Sequence, residues 1–192
     1  MSDLLSLISR NRSPADAERF GHYRLVDPTP VMEFGRQLLD NTPVLHGACA
    51  GMSAMWAAGL TDHYNIPAVV VAGDLIINGR PAFLSQCNLP DGTEQFDAGT
   101  WNGHCWVQAD DMICDASIFR TARTRPDGSH LKAFIDEHFG LHRGLTVCSA
   151  KELARGGMHY VPKYVLNETQ ITGLIRGLHH QIKAWLLTGT VG

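Results

Sequence analysis

The sequence predicts an α+β fold: a central helix bearing a cysteine, packed on a small antiparallel sheet, with flanking N- and C-terminal helices. Three observations predict it. Residues 47–60 join a tight turn, Cys49 and a run of small residues, the composition of a helix that neighbours approach from several sides. Two hairpin signals follow, Asn78-Gly79 and Asp110-Asp111, each between extended apolar runs. The longest helical pattern closes the chain over about 168–187, where Ile171, Leu174, Ile175, Leu178, Ile182 and Leu186 recur at helical spacing.

The elements follow in chain order. Leu4, Leu5 and Ile8 give a short helix over 2–9, and Ser13-Pro14 can cap and open another turn. After Pro28 and Pro30 comes a helix at about 30–40, with Val31, Phe34 and Leu38 on one face. From Cys49 to about Leu60, the residues Cys49, Met52, Ser53, Trp56 and Leu60 form one stripe, and Gly59 is placed to end the helix. Strands are expected at about 68–77 and 80–86 around Asn78-Gly79, then a polar loop to about residue 103. The segment 120–130 reads as a loop, 130–138 as a helix, and Ser149 as the N-cap of a short helix to Ala154. The stretch HYVPKYVL reads as extended.

Composition bounds the functional classes. A chain of 192 residues suits one domain over 1–192, with a core at about 41–120 and a C-terminal helical extension at about 130–187. A net charge of -3 provides no electrostatic footprint for nucleic acid or an anionic membrane. No segment reaches the about 18 to 20 consecutive apolar residues of a membrane span. The N-terminus has Asp3 and only a short apolar run, unlike a signal peptide. Five scattered cysteines without CxxC spacing argue for a reducing compartment, the cytoplasm, although secretion without a cleaved signal is compatible with the same residues. No oligomeric state is legible.

The chemistry gathers on three residues. Cys49 opens a helix, where aligned N–H groups favour negative charge and make a thiol nucleophilic. By itself it reads more readily as a packed thiol, since free cysteine is among the most buried residue types. The hairpin downstream changes its standing. With Asp110-Asp111 at the turn, Ala109 faces Met112, Gln108 faces Ile113, Val107 faces Cys114 and Trp106 faces Asp115. His104, Trp106 and Asp115 then share one face, with Asp115 diagonal to His104, while Cys105, Val107, Cys114 and Ala116 line the other. A one-residue slip would destroy the arrangement. Thiolate, base and orienting carboxylate are the three parts cysteine catalysis needs.

The order GAC, IPAVVVAGD, HCW and CDAS resembles the transglutaminase-like core of the papain-type cysteine enzymes. There a cysteine at a helix start precedes a G-I-P-A-R-V-V-x-G strand, an H-x-W strand and an aspartate on the next strand. The resemblance covers about residues 46–118. It implies a papain-like fold, Cys49 as nucleophile, His104 as general base and Asp115 as orienting acid, with Ile66-Pro67-Ala68 and Trp106 at structural positions. Asn65 and Val69 depart from the motif's glycine and arginine. The pattern G-x-C-x-x-x-S-x-x-W also resembles effector cysteine proteases of the same broad fold, whose histidine lies farther downstream. The calcium sites and extra domains of the large animal transglutaminases do not carry over to a chain of this length.

The expected activity is attack of Cys49 on an amide or thioester carbonyl of a peptide, a protein or a small amide. Hydrolysis comes first; transglutaminase or other acyl transfer, or glutamine deamidation, is the alternative. A catalytically silent interaction module is the reading from a different class. The Cys49 backbone N–H is the first oxyanion donor by position. His46, Asn41 and Trp101 are second-donor candidates, and Trp106 is a substrate-cleft candidate. No cofactor and no metal are expected: His138 and His142 have ligand spacing, but Gly140 interrupts their helix. His179-His180 cannot share a helical face.

Overall fold

Helix α4 (Cys49–Tyr64) is the element that everything else encloses. The computed structural model describes residues 2–45, 47–85, 103–140 and 144–188. Ala50, Gly51, Met52, Ala54, Trp56, Ala57, Gly59 and Leu60 of α4 are all buried, so the helix has core on every side, as its small residues require. It begins after Gly47, whose positive φ of 70° turns the chain into the first helical residue, Cys49. It runs past Gly59 and stops at Asn65, which adopts the left-handed conformation (φ 54°). Gly59 is instead a packing site, because a Cβ there would meet the Phe34 ring at 2.0 Å.

Before α4 stand α1 (Ser2–Asn11), α2 (Pro14–His22) and α3 (Thr29–Asn41). Ser13 caps α2 by accepting the Asp16 N–H at 3.0 Å, and Pro14 follows at the first helical position. After α4 come β1 (Ala68–Ile77) and β2 (Arg80–Phe83), joined through Asn78 (φ 48°) and Gly79 (φ 76°). Both turn residues have φ > 0, which the right-handed twist of a two-residue hairpin demands. Strand β2 ends at Phe83, short of the expected residue 86: Leu84 and Ser85 are irregular, and residue 86 lies outside the described residues. Then come β3 (His104–Ala109), β4 (Met112–Asp115), α5 (Ile118–Thr124), α6 (His130–His138), β5 (Thr146–Ser149), α7 (Ala150–Arg155), β6 (Met158–Val165) and α8 (Glu168–Thr188).

The hairpin β3–β4 has the expected register: Ala109 opposite Met112, Gln108 opposite Ile113 and Val107 opposite Cys114, with Asp110 at φ 55°. Two elements were not anticipated. Residues 120–124, the start of the segment expected as a loop, belong to α5 (Ile118–Thr124), and β5 pairs with β4 through Asp115 opposite Thr146.

All the strand pairs are antiparallel, in the order β2-β1-β3-β4-β5 with β6 also on β1. Strand β6 pairs with residues 71–77 of β1, while β3 pairs with 68–73 and β2 with 75–77. Since a strand has two edges, β2 and β3 lie end to end along one edge and β6 occupies the other. Phe83 (opposite Leu75) is thereby brought next to His104 (opposite Gly73), and Tyr160 stands across β1 from Phe83.

Both faces of the sheet are covered. Ala68, Val70, Ala72, Cys105, Val107 and Cys114 pack with α3, α4 and α8. Val69, Val71, Leu75, Trp106 and Ile113 pack with α1, α2, α5 and α6. Among the described residues no helix is long and apolar enough to cross a membrane.

Gly73 sits where the β1–β6 register shifts, and a Cβ there would lie 2.1 Å from the Val161 carbonyl oxygen and 2.9 Å from the Trp106 ring. A bulged strand under a backbone carbonyl has room only for glycine. Gly73→Ala is therefore expected to lower stability by about 1–3 kcal/mol through overpacking. Urea denaturation measures this, and an unmoved midpoint would contradict the tight β1–β6 contact.

Candidate active site

Three elements converge on one imidazole. Cys49 lies in the first turn of α4, half-buried, and its register along β3 is pinned one turn later, where the buried Ser53 hydroxyl donates to the Cys105 carbonyl at 3.1 Å. His104 opens β3 and is 1% exposed. Its Nε2 lies 2.6 Å from Oδ2 of Asp115, also 1% exposed. The Cys49 thiol adjoins the same ring. Because Nε2 is committed to Asp115, Nδ1 is the nitrogen left to serve the thiol.

Asp115 is saturated with donors. Oδ1 accepts the Ser117 N–H (2.9 Å), the Ser117 hydroxyl (3.0 Å) and the Ile118 N–H (3.0 Å), and Oδ2 accepts the Tyr160 hydroxyl (2.9 Å) besides His104. The carboxylate thus satisfies N–H groups at the start of α5 as well as orienting the imidazole. Burial alone would raise its pKa. The His104 charge and hydrogen bond, aided by Ser117 and Tyr160, outweigh burial and hold it below the ordinary carboxyl value. For His104, burial pulls toward the neutral ring, but the Asp115 charge and hydrogen bond, with a further contribution from Cys49, lift its pKa to about 10. The Asp115 contact therefore favours the protonated form of the imidazole that adjoins Cys49.

Aromatic rings enclose the imidazole. Phe83 stacks on it with centroids 4.9 Å apart at 17°, Trp106 lies 6.4 Å away, and Tyr160 meets Trp106 edge-on at 5.1 Å. The Arg125 guanidinium sits over the outer face of Phe83, 5.1 Å from its centroid. Trp106 is wholly buried, in the floor beneath His104, and its indole N–H has no hydrogen-bond partner among the described residues.

Asn41 is exposed at the end of α3, its amide donating to the Gln37 carbonyl at 2.8 Å. His46 and Trp101 lie outside the described residues, as does His142. His138 stacks on Phe134 at 4.2 Å. Among the described residues no cluster of three or more His, Cys, Asp or Glu side chains could hold a metal ion, and Cys49, Cys105, Cys114 and Cys148 are free thiols.

Sequence reasoning missed Tyr160, Phe83 and Arg120. Arg120 of α5 donates to the carbonyls of Leu39, Thr42 and Pro43, tying down the segment that leads to the Cys49 turn. Its signal was hidden with α5 itself. For Tyr160, a tyrosine in an alternating strand is indistinguishable from any half-buried one until the strand's neighbour is known. No family model, no curated protein and no solved structure matches this chain.

Proposed function

We propose that the protein is a cysteine-dependent acyl-transfer enzyme of the transglutaminase-like type, hydrolysing an amide bond through an acyl-enzyme on Cys49. The observation that carries this reading is the continuous line from the Cys49 thiol through His104 to Asp115, the last two buried and bonded at 2.6 Å. An imidazolium beside a sulfur favours the thiolate, the form that attacks carbonyl carbon. Attack forms the Sγ–C bond and pushes the carbonyl electrons onto oxygen, where the Cys49 N–H at the helix start is placed to meet the charge. Collapse expels the amine, which takes the proton from His104. Water then attacks the thioester, with the now neutral His104 accepting its proton; collapse breaks the Sγ–C bond, releases the acid and restores the Cys49 sulfur beside the protonated His104. Asp115 holds the ring in the tautomer both steps need. Hydrolysis is favoured over transfer to an amine because a small core offers little to shield the thioester from water.

Mass spectrometry of the protein incubated with a peptide and glutamine-donor library tests the reading. An acyl mass on Cys49, absent from His104→Ala and discharged by water, is expected. Discharge only by added amine would assign the protein to the transferases, and no adduct with any donor would favour a silent interaction module.

A further inference from the structure

We propose that Tyr160 is a positioning residue of this site: its hydroxyl, carried in by β6, holds the Asp115 carboxylate as the ionised acceptor that keeps His104 turned toward Cys49. The inference rests on the reading of Cys49 as nucleophile. Its physical basis lies in how Asp115 is gripped. Among the described residues, the three donors to Oδ1 come from the adjacent turn, at Ser117 and Ile118, and none of them engages Oδ2. Oδ2, the oxygen that faces His104, has among the described residues one other donor, the Tyr160 hydroxyl at 2.9 Å. That donor arrives 45 positions later in the chain, from a strand on the far edge of β1.

The ring is held as firmly as the hydroxyl. Tyr160 packs edge-on against Trp106 at 5.1 Å and lies 6.1 Å from the imidazole. The absent side chain at Gly73 leaves the space in which β6 and Trp106 come together. Burial and the Asp115 charge push the Tyr160 phenol well above its ordinary value, so it stays a donor throughout the range in which the site works. Among the described residues, the other titratable group facing Asp115 is His104 of β3, with Cys49 of α4 beyond it, while the thiols of Cys105 and Cys114 lie on the opposite face of the sheet within range of its charge. Burial raises both of those thiols, and the Asp115 charge adds to it, so they remain neutral and do not compete for the carboxylate. Tyr160 is thus the contact outside the β3–β4–α5 segment that stabilises the ionised Asp115. On protonation of Asp115, His104 would lose its counter-charge and the acceptor that orients its ring toward Cys49.

The test is Tyr160→Phe, with two readouts on the folded protein from about pH 3 to pH 8: the carboxyl 13C resonance of Asp115 and the rate of Cys49 alkylation by iodoacetamide. Loss of one hydrogen bond to a charged group should move the Asp115 titration up by about one pH unit. The acid limb of alkylation should move with it, and the rate at pH 7 should stay within about threefold. An unmoved Asp115 titration overturns the proposal, as does a uniform fall in alkylation at every pH, which is what a purely structural tyrosine would produce. Site-specific 3-fluorotyrosine at position 160, a more acidic donor of nearly the same shape, should move both readouts the opposite way and decides the matter should the phenylalanine variant not fold. If the parent protein alkylates like an ordinary thiol, the assignment of Cys49 fails, while the Asp115 titration still shows whether Tyr160 grips the carboxylate.

Discussion

Replacing His104 by alanine should slow alkylation of Cys49 at pH 6.5 by about tenfold or more, and abolish acyl-enzyme formation. An ordinary cysteine, titrating near 8.5, is only about one per cent thiolate at that pH. His104, held protonated by Asp115, sets a positive charge beside the Cys49 sulfur, and its removal takes that charge away. Any gain is partly offset, because thiolates stabilised by a neighbouring charge are weaker nucleophiles. Turnover should suffer more than alkylation, by about 10²- to 10⁴-fold, since the same ring must also protonate the leaving amine. Stopped alkylation assays followed by intact mass give the first number. Equal rates in parent and variant would mean that His104 is not the partner of Cys49.

The second large effect belongs to Asp115. Removing one member of a buried ion pair leaves the other uncompensated, at a cost of about 3–5 kcal/mol. Asp115→Ala also strips acceptors from the N–H groups of Ser117 and Ile118, so its loss should lie at the upper end of that range, measured by urea denaturation at pH 6. The pH dependence supplies the sharper signature. His104 has a folded-state pKa of about 10 against an ordinary value of 6.5. Its contribution is therefore complete below about 6.5 and is lost as pH rises toward 10. Asp115 is shifted the other way, so its contribution is complete above its ordinary value of 3.8 and is lost as pH falls through the depressed one. The parent should accordingly be less stable at pH 9 than at pH 6, and Asp115→Ala should lose most of that difference. Asp115→Asn should keep much of the stability yet lose the pH dependence, separating orientation from charge. An unchanged slope in both variants would mean that Asp115 does not hold the His104 proton.

Much of the site was legible because its central pair is local. His104 and Asp115 are eleven positions apart on one hairpin, and period-two alternation with a two-residue turn places both on one face. The turn residues announce themselves chemically, Asn78, Gly79 and Asp110 being types that accept φ > 0. Gly59 misled for a related reason. Glycine marks a helix stop in sequence, but here it answers the Phe34 ring, and a contact across helices leaves no local trace. Helix α5 was hidden because seven residues carry too little periodicity to show, and because its start is satisfied by the side chain of Asp115 rather than by its own N-cap, Ser117.

What the sequence by itself determined is the α+β class, most of the elements and the register that makes His104 and Asp115 partners, since these follow from short-range stereochemistry. Only the tertiary structure decided what surrounds that pair. Packing of α4 against β3 brings Cys49 to the imidazole, and the placement of β2 and β3 end to end on β1 lays Phe83 over it. Strand β6 on the opposite edge delivers Tyr160 to the carboxylate. These meetings join residues far apart in the chain, and they are selected by shape and burial over the whole core, which no window of sequence contains.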